Sequence, residues 1–183
     1  MRTLRIYGLI LIMILLPAML FASGGKEEKS ATAPSPNTVK VAQDWGFSWE
    51  FSKDEIEFTV TAPTSGWVGI GFNPSYMMKD AHYILGYVKD STLFIQDNYG
   101  TGNTSHASDV SLGGTADVRG LRGSEKDGIT TIVFALPLDS KDKYDKKFVQ
   151  GDTYTVLLAY GRDDADDFTS MHAKRVAVET VLK

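Results

Sequence analysis

Cysteine is missing from this sequence of 183 residues. Its absence excludes disulfide bonds, thiolate metal sites, iron–sulfur clusters, cysteine nucleophiles and the covalent attachment of c-type haem. It also excludes the lipid anchor of bacterial lipoproteins, because that lipid is carried by a cysteine at the mature N-terminus. Any cofactor in this protein must therefore be held without a covalent link through sulfur.

Catalytic motifs are missing as well. The sequence contains neither the Gly-x-Ser-x-Gly elbow of hydrolases nor the His-Glu-x-x-His motif of zinc proteases. His82, His106 and His172 are too far apart for a local zinc motif. The acidic run 163–167 lacks the glycine and the distal glutamate of a calcium loop, so it predicts a solvated hairpin tip. We predict no catalytic residues and expect a protein that is not an enzyme.

An excess of positive charge is absent too. The formal net charge is −4, and it becomes −6 when the N-terminal segment with Arg2 and Arg5 is removed. A chain of this charge offers no general attraction to nucleic acid or to anionic lipid. We therefore expect no nucleic-acid partner, and membrane contact only through an uncleaved N-terminal segment.

That N-terminal segment holds the longest apolar run. Arg2 and Arg5 precede 16 residues without charge, Ile6 to Phe21, and small residues follow at 22–25. A membrane-spanning helix needs about 20 residues, so the pattern favours a signal peptide over a permanent anchor. We assign residues 1–24 to a signal peptide and residues 25–38, which are small, polar and proline-bearing, to a flexible linker. The predicted location is the periplasm or the exterior of the cell.

The remaining residues, 39–183, are rich in strand signals. In Glu55–Ala62, apolar Ile56, Phe58, Val60 and Ala62 alternate with polar residues, which is typical of a half-buried strand. No amphipathic helix of ten or more residues is evident. Many short strands separated by turns predict an all-β antiparallel sandwich of about nine to eleven strands. The other predicted strands are 39–43, 47–51, 66–72, 81–89, 92–98, 116–121, 129–136, 153–160 and 176–182.

Several sequence segments, in their order and spacing, carry a resemblance to a known family. They are the glycine-rich Gly66–Asn73, then Met77–Ala81, Ile84–Val88 and Ile95–Asn103, with later segments 134–139, 154–161 and 167–175. Together they resemble a DOMON domain over the whole of residues 39–183. The resemblance implies an immunoglobulin-like β-sandwich of the DOMON type, exported from the cytoplasm, of the kind that in many members binds haem b or a sugar.

In the haem-binding members of that family, iron is held by a methionine after the glycine-rich strand and a histidine near the C-terminus. The resemblance places these ligands at Met78, with Met77 as the fallback, and at His172, with His82 as a weaker second choice. The two ligands lie on loops distant in sequence, as a pocket at one end of the sandwich would require. Lys174 and Arg175 lie close to His172 in the sequence and could pair with the haem propionates. The function implied is that of a non-covalent haem b protein that carries single electrons to or from a redox partner whose identity is open.

Two other functions stay open from the sequence. Trp45, Trp49 and Trp67 could form a platform for stacking sugars, although in a sandwich of this size we expect at least two of them to pack in or near the core. The protein could also be an interaction domain without a ligand. The two adjacent methionines would then only fill gaps in the packing.

Overall fold

The computed structural model describes residues 37–183, which form eleven strands and one short 3-10 helix. The predicted signal peptide and almost all of the predicted linker lie outside the described residues. Within the described part of the chain, no helix is long and apolar enough to cross a membrane. The strands are β1 (Thr38–Ala42), β2 (Trp45–Phe51), β3 (Glu55–Ala62), β4 (Val68–Phe72), β5 (His82–Lys89), β6 (Thr92–Gly102), β7 (Ser105–Ser108), β8 (Arg119–Lys126), β9 (Ile129–Pro137), β10 (Thr153–Tyr160) and β11 (Lys174–Val181).

The strands form two antiparallel sheets. The first has five strands in the order β1, β2, β3, β9, β8, and the second has six in the order β11, β10, β4, β5, β6, β7. In the second sheet β10 lies between β4 and β11, and Val156 of β10 pairs with Phe72 of β4. Strands distant in sequence are therefore neighbours in both sheets. The fold is the antiparallel β-sandwich that the sequence predicts.

Side-chain alternation along the strands builds the core between the sheets. Ile56, Phe58, Val60 and Ala62 of β3 are all fully or almost fully buried, and the polar residues between them are partly exposed. The Phe58 ring packs against Phe72 of the opposite sheet at 5.0 Å between ring centroids. Burying such rings supplies most of the driving force for folding.

The boundaries of the predicted strands agree with those observed to within two residues, with three exceptions. The strand predicted at 92–98 continues to Gly102 in β6. The strand predicted at 116–121 begins later, because β8 spans Arg119–Lys126 and pairs with β9 through a turn at Asp127 and Gly128, both with positive φ. The short strand β7 was not predicted. It contains Ser105, His106, Ala107 and Ser108, which carry no apolar alternation, and it is a strand because it pairs with β6.

Strand β5 presents different chemistry to its two sides. His82 and Ile84 point into the sandwich, whereas Tyr83 and Leu85 lie on the outer face of the six-stranded sheet, because neighbouring residues of a strand alternate. On the adjacent β4, the outer face holds only Gly69 and Gly71. A Cβ atom at either glycine would overlap the Leu85 or Tyr83 side chain, so these two side chains lie directly over the glycine-rich strand.

Candidate functional site

A groove of about 310 Å³ lies on the outer face of the six-stranded sheet. Met77, Met78 and His172 line it, and so do Tyr83 of β5 and Arg175 of β11. The remaining lining is mostly aliphatic and comes from β10 and β11: Leu157, Leu158, Val176 and Ala177. The structure therefore brings four of the five residues predicted for the cofactor site, Met77, Met78, His172 and Arg175, to one apolar groove.

The groove is not at one end of the sandwich, where the sequence analysis would place a site made by loops. Met78 lies in the loop 73–81, which follows Phe72, whereas His172 lies in the loop 161–173, which follows Tyr160. Because Tyr160 pairs with Val68 at the beginning of β4, the two loops leave opposite ends of the sheet. Both loops fold over the outer face, and the groove lies between them.

The methionine loop is held in one conformation by hydrogen bonds. The Asn73 side chain accepts from the Thr155 amide at 2.9 Å, and the Met78 amide donates to the Asn103 carbonyl at 3.3 Å. Asp80 accepts from the Tyr99 hydroxyl at 3.0 Å, and the hydrogen bonds from Ser75 and Tyr99 lower the pKa of its carboxyl group. The Met78 side chain is thus presented by a loop fixed to its surroundings.

The backbone of this loop also stores strain. Asn73, Met77 and Asp80 all have positive φ, at 48°, 52° and 61°. Residues other than glycine adopt such angles at an energetic cost, and these angles occur in tight turns and at ligand sites. Met77 and Met78 occupy the centre of a tight turn closed by a hydrogen bond from the Lys79 amide to the Tyr76 carbonyl at 2.9 Å. The turn leaves Met77 40% exposed, whereas Met78 is half-buried.

The histidine loop is fixed on both sides of His172. The Asp167 carboxylate accepts hydrogen bonds from the Thr169 and Ser170 amides, both at 2.6 Å, and these bonds lower its pKa. The Trp67 indole donates to the Ser170 hydroxyl at 2.9 Å. Beyond His172, the Ala173 amide donates to the Tyr160 carbonyl at 2.7 Å. His172 itself is half-buried.

Tyr83 is a polar residue of the groove that the sequence analysis did not select. Its ring is 7% exposed, and its hydroxyl is buried without a hydrogen-bond partner in the described protein. Burial raises the pKa of this hydroxyl, and the charge of Arg175 partly offsets the effect. A buried hydroxyl that faces a groove without a partner is a position where a bound molecule can supply one. The sequence did contain an indication of this position. Tyr83 lies between two core-facing residues of a predicted strand, so its side chain must face the outer side of the sheet.

Lys174 has a different position from Arg175. It is exposed and does not line the groove. In the register of β10 with β11, Lys174 pairs with Tyr160, whose side chain faces the core, and Arg175 pairs with Ala159 on the outer face. The two cations therefore point to opposite faces of the sheet, and only Arg175 reaches the groove.

A second group of polar residues lies on the inner side of the same sheet. His82 is 1% exposed, and its Nε2 atom lies 2.9 Å from Asp97 Oδ1 and 3.2 Å from Asp145 Oδ1. Burial alone would lower the pKa of His82, but the hydrogen bond and charge of Asp97, together with the charges of Asp145 and Asp109, raise it. His82 was a weaker choice for a haem ligand in the sequence analysis. Its position on the inner face separates it from the groove.

Asp109 belongs to this group as well. It opens the 3-10 helix, is fully buried, and makes no hydrogen bond through either carboxylate oxygen. Burial, with the nearby charge of Asp97, raises its pKa to about 7. Asp97, Asp109 and Asp145 are far apart in sequence, so no local motif could have indicated this cluster.

The tryptophans do not form an exposed platform. Trp45, Trp49 and Trp67 are 9%, 6% and 6% exposed. The expectation that at least two of them pack in or near the core is confirmed. A sugar-stacking surface built from these side chains has no support in the described structure.

A model of the family described as the DOMON domain matches residues 41–161. The chain belongs to the DOMON family. The matched range contains Met78, and it ends before His172, which lies on the loop that follows. The family resemblance and the β-sandwich fold inferred from the sequence are both confirmed.

Curated relatives of this DOMON chain include two proteins named for monooxygenases. DBH-like monooxygenase protein 2 of Mus musculus is 29% identical over 129 residues, which is 70% of this chain and 20% of that protein. DBH-like monooxygenase protein 1 of Homo sapiens is 26% identical over 161 residues, which is 88% of this chain and 25% of that protein. The chain spans only about a fifth to a quarter of the length of these relatives.

Solved structures with the same fold include two cytochrome domains. The cytochrome b domain of pyranose dehydrogenase from Coprinopsis cinerea has a TM-score of 0.55 and 17% identity, covering 76% of this chain and 78% of that one. The cytochrome domain of Myriococcum thermophilum cellobiose dehydrogenase also has a TM-score of 0.55, with 12% identity, covering 80% and 81%. At these low identities the comparison shows that this chain and the two cytochrome domains share a fold.

Proposed function

We propose that this DOMON protein binds haem b non-covalently in the outer groove and carries single electrons, with Met78 and His172 as the axial ligands of the iron. The observation that carries the proposal is that both side chains, from loops at opposite ends of the sheet, line one apolar groove. The structural neighbours are named as cytochrome domains, which supports the same cofactor.

The residues present fit a haem group. A porphyrin needs an apolar groove, and Leu157 and Ala177 supply aliphatic walls. Its propionates need a cation or a hydrogen-bond donor, and Arg175 and the unpartnered Tyr83 hydroxyl provide both within the same groove. Tyr83 would then gain the hydrogen-bond partner that the protein alone does not offer.

The two ligand types define the chemistry. When bound, haem supplies one-electron exchange between ferric and ferrous iron. The Met78 thioether and the His172 imidazole would hold the iron, and two such protein ligands would leave no position for oxygen and would raise the reduction potential. The hydrogen bonds within both loops would limit the movement of these two side chains, which suits electron transfer.

In this role the protein carries electrons and does not itself turn over a substrate. The monooxygenase names of its longer relatives therefore do not extend to this chain. It exchanges electrons with a redox partner protein, and it does so in the periplasm or outside the cell after removal of the signal peptide. DOMON domains typically occur in extracytoplasmic proteins, which is consistent with export.

The test is the visible spectrum of protein purified from cells supplied with haem, oxidised and then reduced with dithionite. We expect a Soret band and, on reduction, the sharp α and β bands of low-spin six-coordinate iron. Met78→Leu preserves side-chain volume but removes the sulfur, so it should give a high-spin spectrum. His172→Ala should lose the haem or show the same change.

Two methionine controls make the assignment specific. Met171→Leu changes a residue beside His172 that is 82% exposed, and it should leave the spectrum unchanged. Met77→Leu tests the fallback ligand and should also leave the spectrum unchanged. An unaltered spectrum in His172→Ala, or a colourless wild-type protein that does not take up added haem, would refute the proposal.

A further inference from the structure

The buried cluster on the inner side of the six-stranded sheet has the composition of a metal site. His82 Nε2, Asp97 Oδ1 and Asp145 Oδ1 all lie within 4.8 Å of one another. They come from β5, β6 and the loop between β9 and β10, so three separate elements converge on one point. An imidazole and two carboxylates at such separations can coordinate a single ion between them.

The charges in this cluster are not balanced by the described residues. Asp97 is 2% exposed and Asp109 is fully buried, yet neither they nor Asp145 form an ion pair with any lysine or arginine in residues 37–183. Burying carboxylates without a balancing positive charge is costly. His82 can offer at most one positive charge to three carboxyl groups.

Unsatisfied atoms provide a second, independent indication. Both carboxylate oxygens of Asp109 are buried and make no hydrogen bond, and the buried Oδ1 atom of Asp145 has only its 3.2 Å contact with His82 Nε2. By contrast, Asp97 Oδ2 accepts from the Asp117 amide at 3.1 Å, which fixes that carboxylate with its other oxygen directed at His82. Buried oxygens that lack hydrogen-bond donors, beside an ordered carboxylate and imidazole, are groups that a bound cation would satisfy.

We propose that His82, Asp97 and Asp145 bind one divalent transition-metal ion of the zinc or manganese class, with the carboxylate of Asp109 beside it. The imidazole ligand favours these ions over calcium and magnesium, which take oxygen ligands. Two charges on the ion neutralise the two ligating carboxylates. The site is separate from the groove, because it faces the core side of the sheet, and it does not depend on haem binding.

Binding has a structural consequence for the loop that carries Asp145. The Lys146 amide donates to His82 Nδ1 at 3.3 Å, a hydrogen bond that a ring with its proton on Nε2 can accept. An ion at Nε2 requires that proton to move to Nδ1, which then cannot accept from Lys146. The Lys146 amide must turn to another acceptor, and occupancy of the site is thereby linked to the conformation of the loop between β9 and β10.

The test measures metal binding by the haem-free protein. After treatment with EDTA and its removal, calorimetric titration with ZnCl2 and with MnCl2 should show a single ion bound by at least one of them. The Lys146 amide resonance in the proton–nitrogen spectrum should shift on binding. Asp145→Asn should weaken binding at least about tenfold. This variant changes one oxygen in a loop, so it avoids disturbing a strand.

The matched control is Asp44→Asn, an exposed aspartate in the turn between β1 and β2, which should bind the ion as the wild type does. His172→Ala should bind as the wild type does too, which separates this site from the groove. Three results would overturn the proposal. They are no binding of zinc or manganese by the folded wild-type protein, equally strong binding by Asp145→Asn, or binding of calcium or magnesium without binding of zinc or manganese. None of them bears on haem binding.

Discussion

The two faces of the six-stranded sheet are made from alternating residues of the same strands, yet they differ in kind. On the inner face Phe72 is enclosed and packs against the Phe58 and Phe148 rings. On the outer face Tyr83 lines an open groove, and its hydroxyl has no hydrogen-bond partner in the described protein. Alternation along the strands thus separates a packed aromatic core from an open groove.

The core and the groove should therefore respond differently to substitution. Changes to the apolar residues of the inner face should lower the free energy of unfolding, whereas changes to the groove should alter haem binding with little effect on folding. Four comparisons test this difference.

Truncation of an inner-face aromatic ring should have the largest effect. Phe72 is fully buried between Phe58 and Phe148, with ring centroids at 5.0 and 4.9 Å, so Phe72→Ala should lower the free energy of unfolding. We expect a loss of about 3–5 kcal/mol in urea denaturation. Leu157→Ala, on the outer face of the adjoining β10, should lose less than about 2 kcal/mol. Equal losses would mean that the groove face contributes to the core.

A backbone clash at the methionine loop should come next. A Cβ atom at Gly100 of β6 would overlap the carbonyl oxygen of Met78, which cannot move without its loop. Gly100→Ala should cost about 1–3 kcal/mol and should weaken methionine ligation in the haem-loaded spectrum. Gly102→Ala is the control, since its Cβ would meet only the flexible Ser105 hydroxyl. A Gly100→Ala protein with normal stability and spectrum would show that the loop is not held by this contact.

Removal of single tyrosine hydroxyls should have smaller effects of opposite sign. In Tyr83→Phe a buried hydroxyl without a partner is lost, so the haem-free protein should be unchanged or more stable by up to about 1 kcal/mol. Tyr99→Phe removes a hydroxyl that donates to Asp80 at 3.0 Å, and it should cost about 1 kcal/mol. Thermal denaturation of both variants checks the signs. Destabilisation by Tyr83→Phe would mean that its hydroxyl has a partner within the protein.

The smallest effect should come from His106 at the edge of the sheet. Partial burial lowers the pKa of His106, so the folded state binds a proton less readily than the unfolded state does. Stability contributed by the neutral ring is present at high pH and is lost as the pH falls below the unfolded pKa of about 6.5. In His106→Gln this loss should be smaller. Urea denaturation at a series of pH values, with a ring-proton titration by NMR, tests the sign.

The sequence predicted the sandwich because its strands carry a clear period of two, as Ile56, Phe58 and Val60 show. It did not predict β7, since residues 105–108 are polar and form a strand only through pairing with β6. It also placed the two proposed ligands at one end of the sandwich. Strand order decides that point, because β10 pairs with β4 in a direction that carries His172 to the end opposite Met78.

The polar cluster around His82 could not be predicted from the sequence. Asp97, Asp109 and Asp145 each look like ordinary surface aspartates in the sequence, within or beside polar segments. Only the pairing of β5 with β6 and the return of the loop after β9 bring them against one histidine. Motif spacing can indicate chemistry within one segment, but it cannot indicate chemistry that three distant segments share.

The central position of β10 also determines when the protein can fold. This strand is the tenth of eleven in sequence, yet β4 depends on it for half of its hydrogen bonds. A nascent chain that ends before Thr153 has an open edge in the middle of its larger sheet and lacks most of the groove's lining. Pairings between positions so distant in sequence make folding slow. The larger sheet can therefore be completed only after β10 and β11 have both been made.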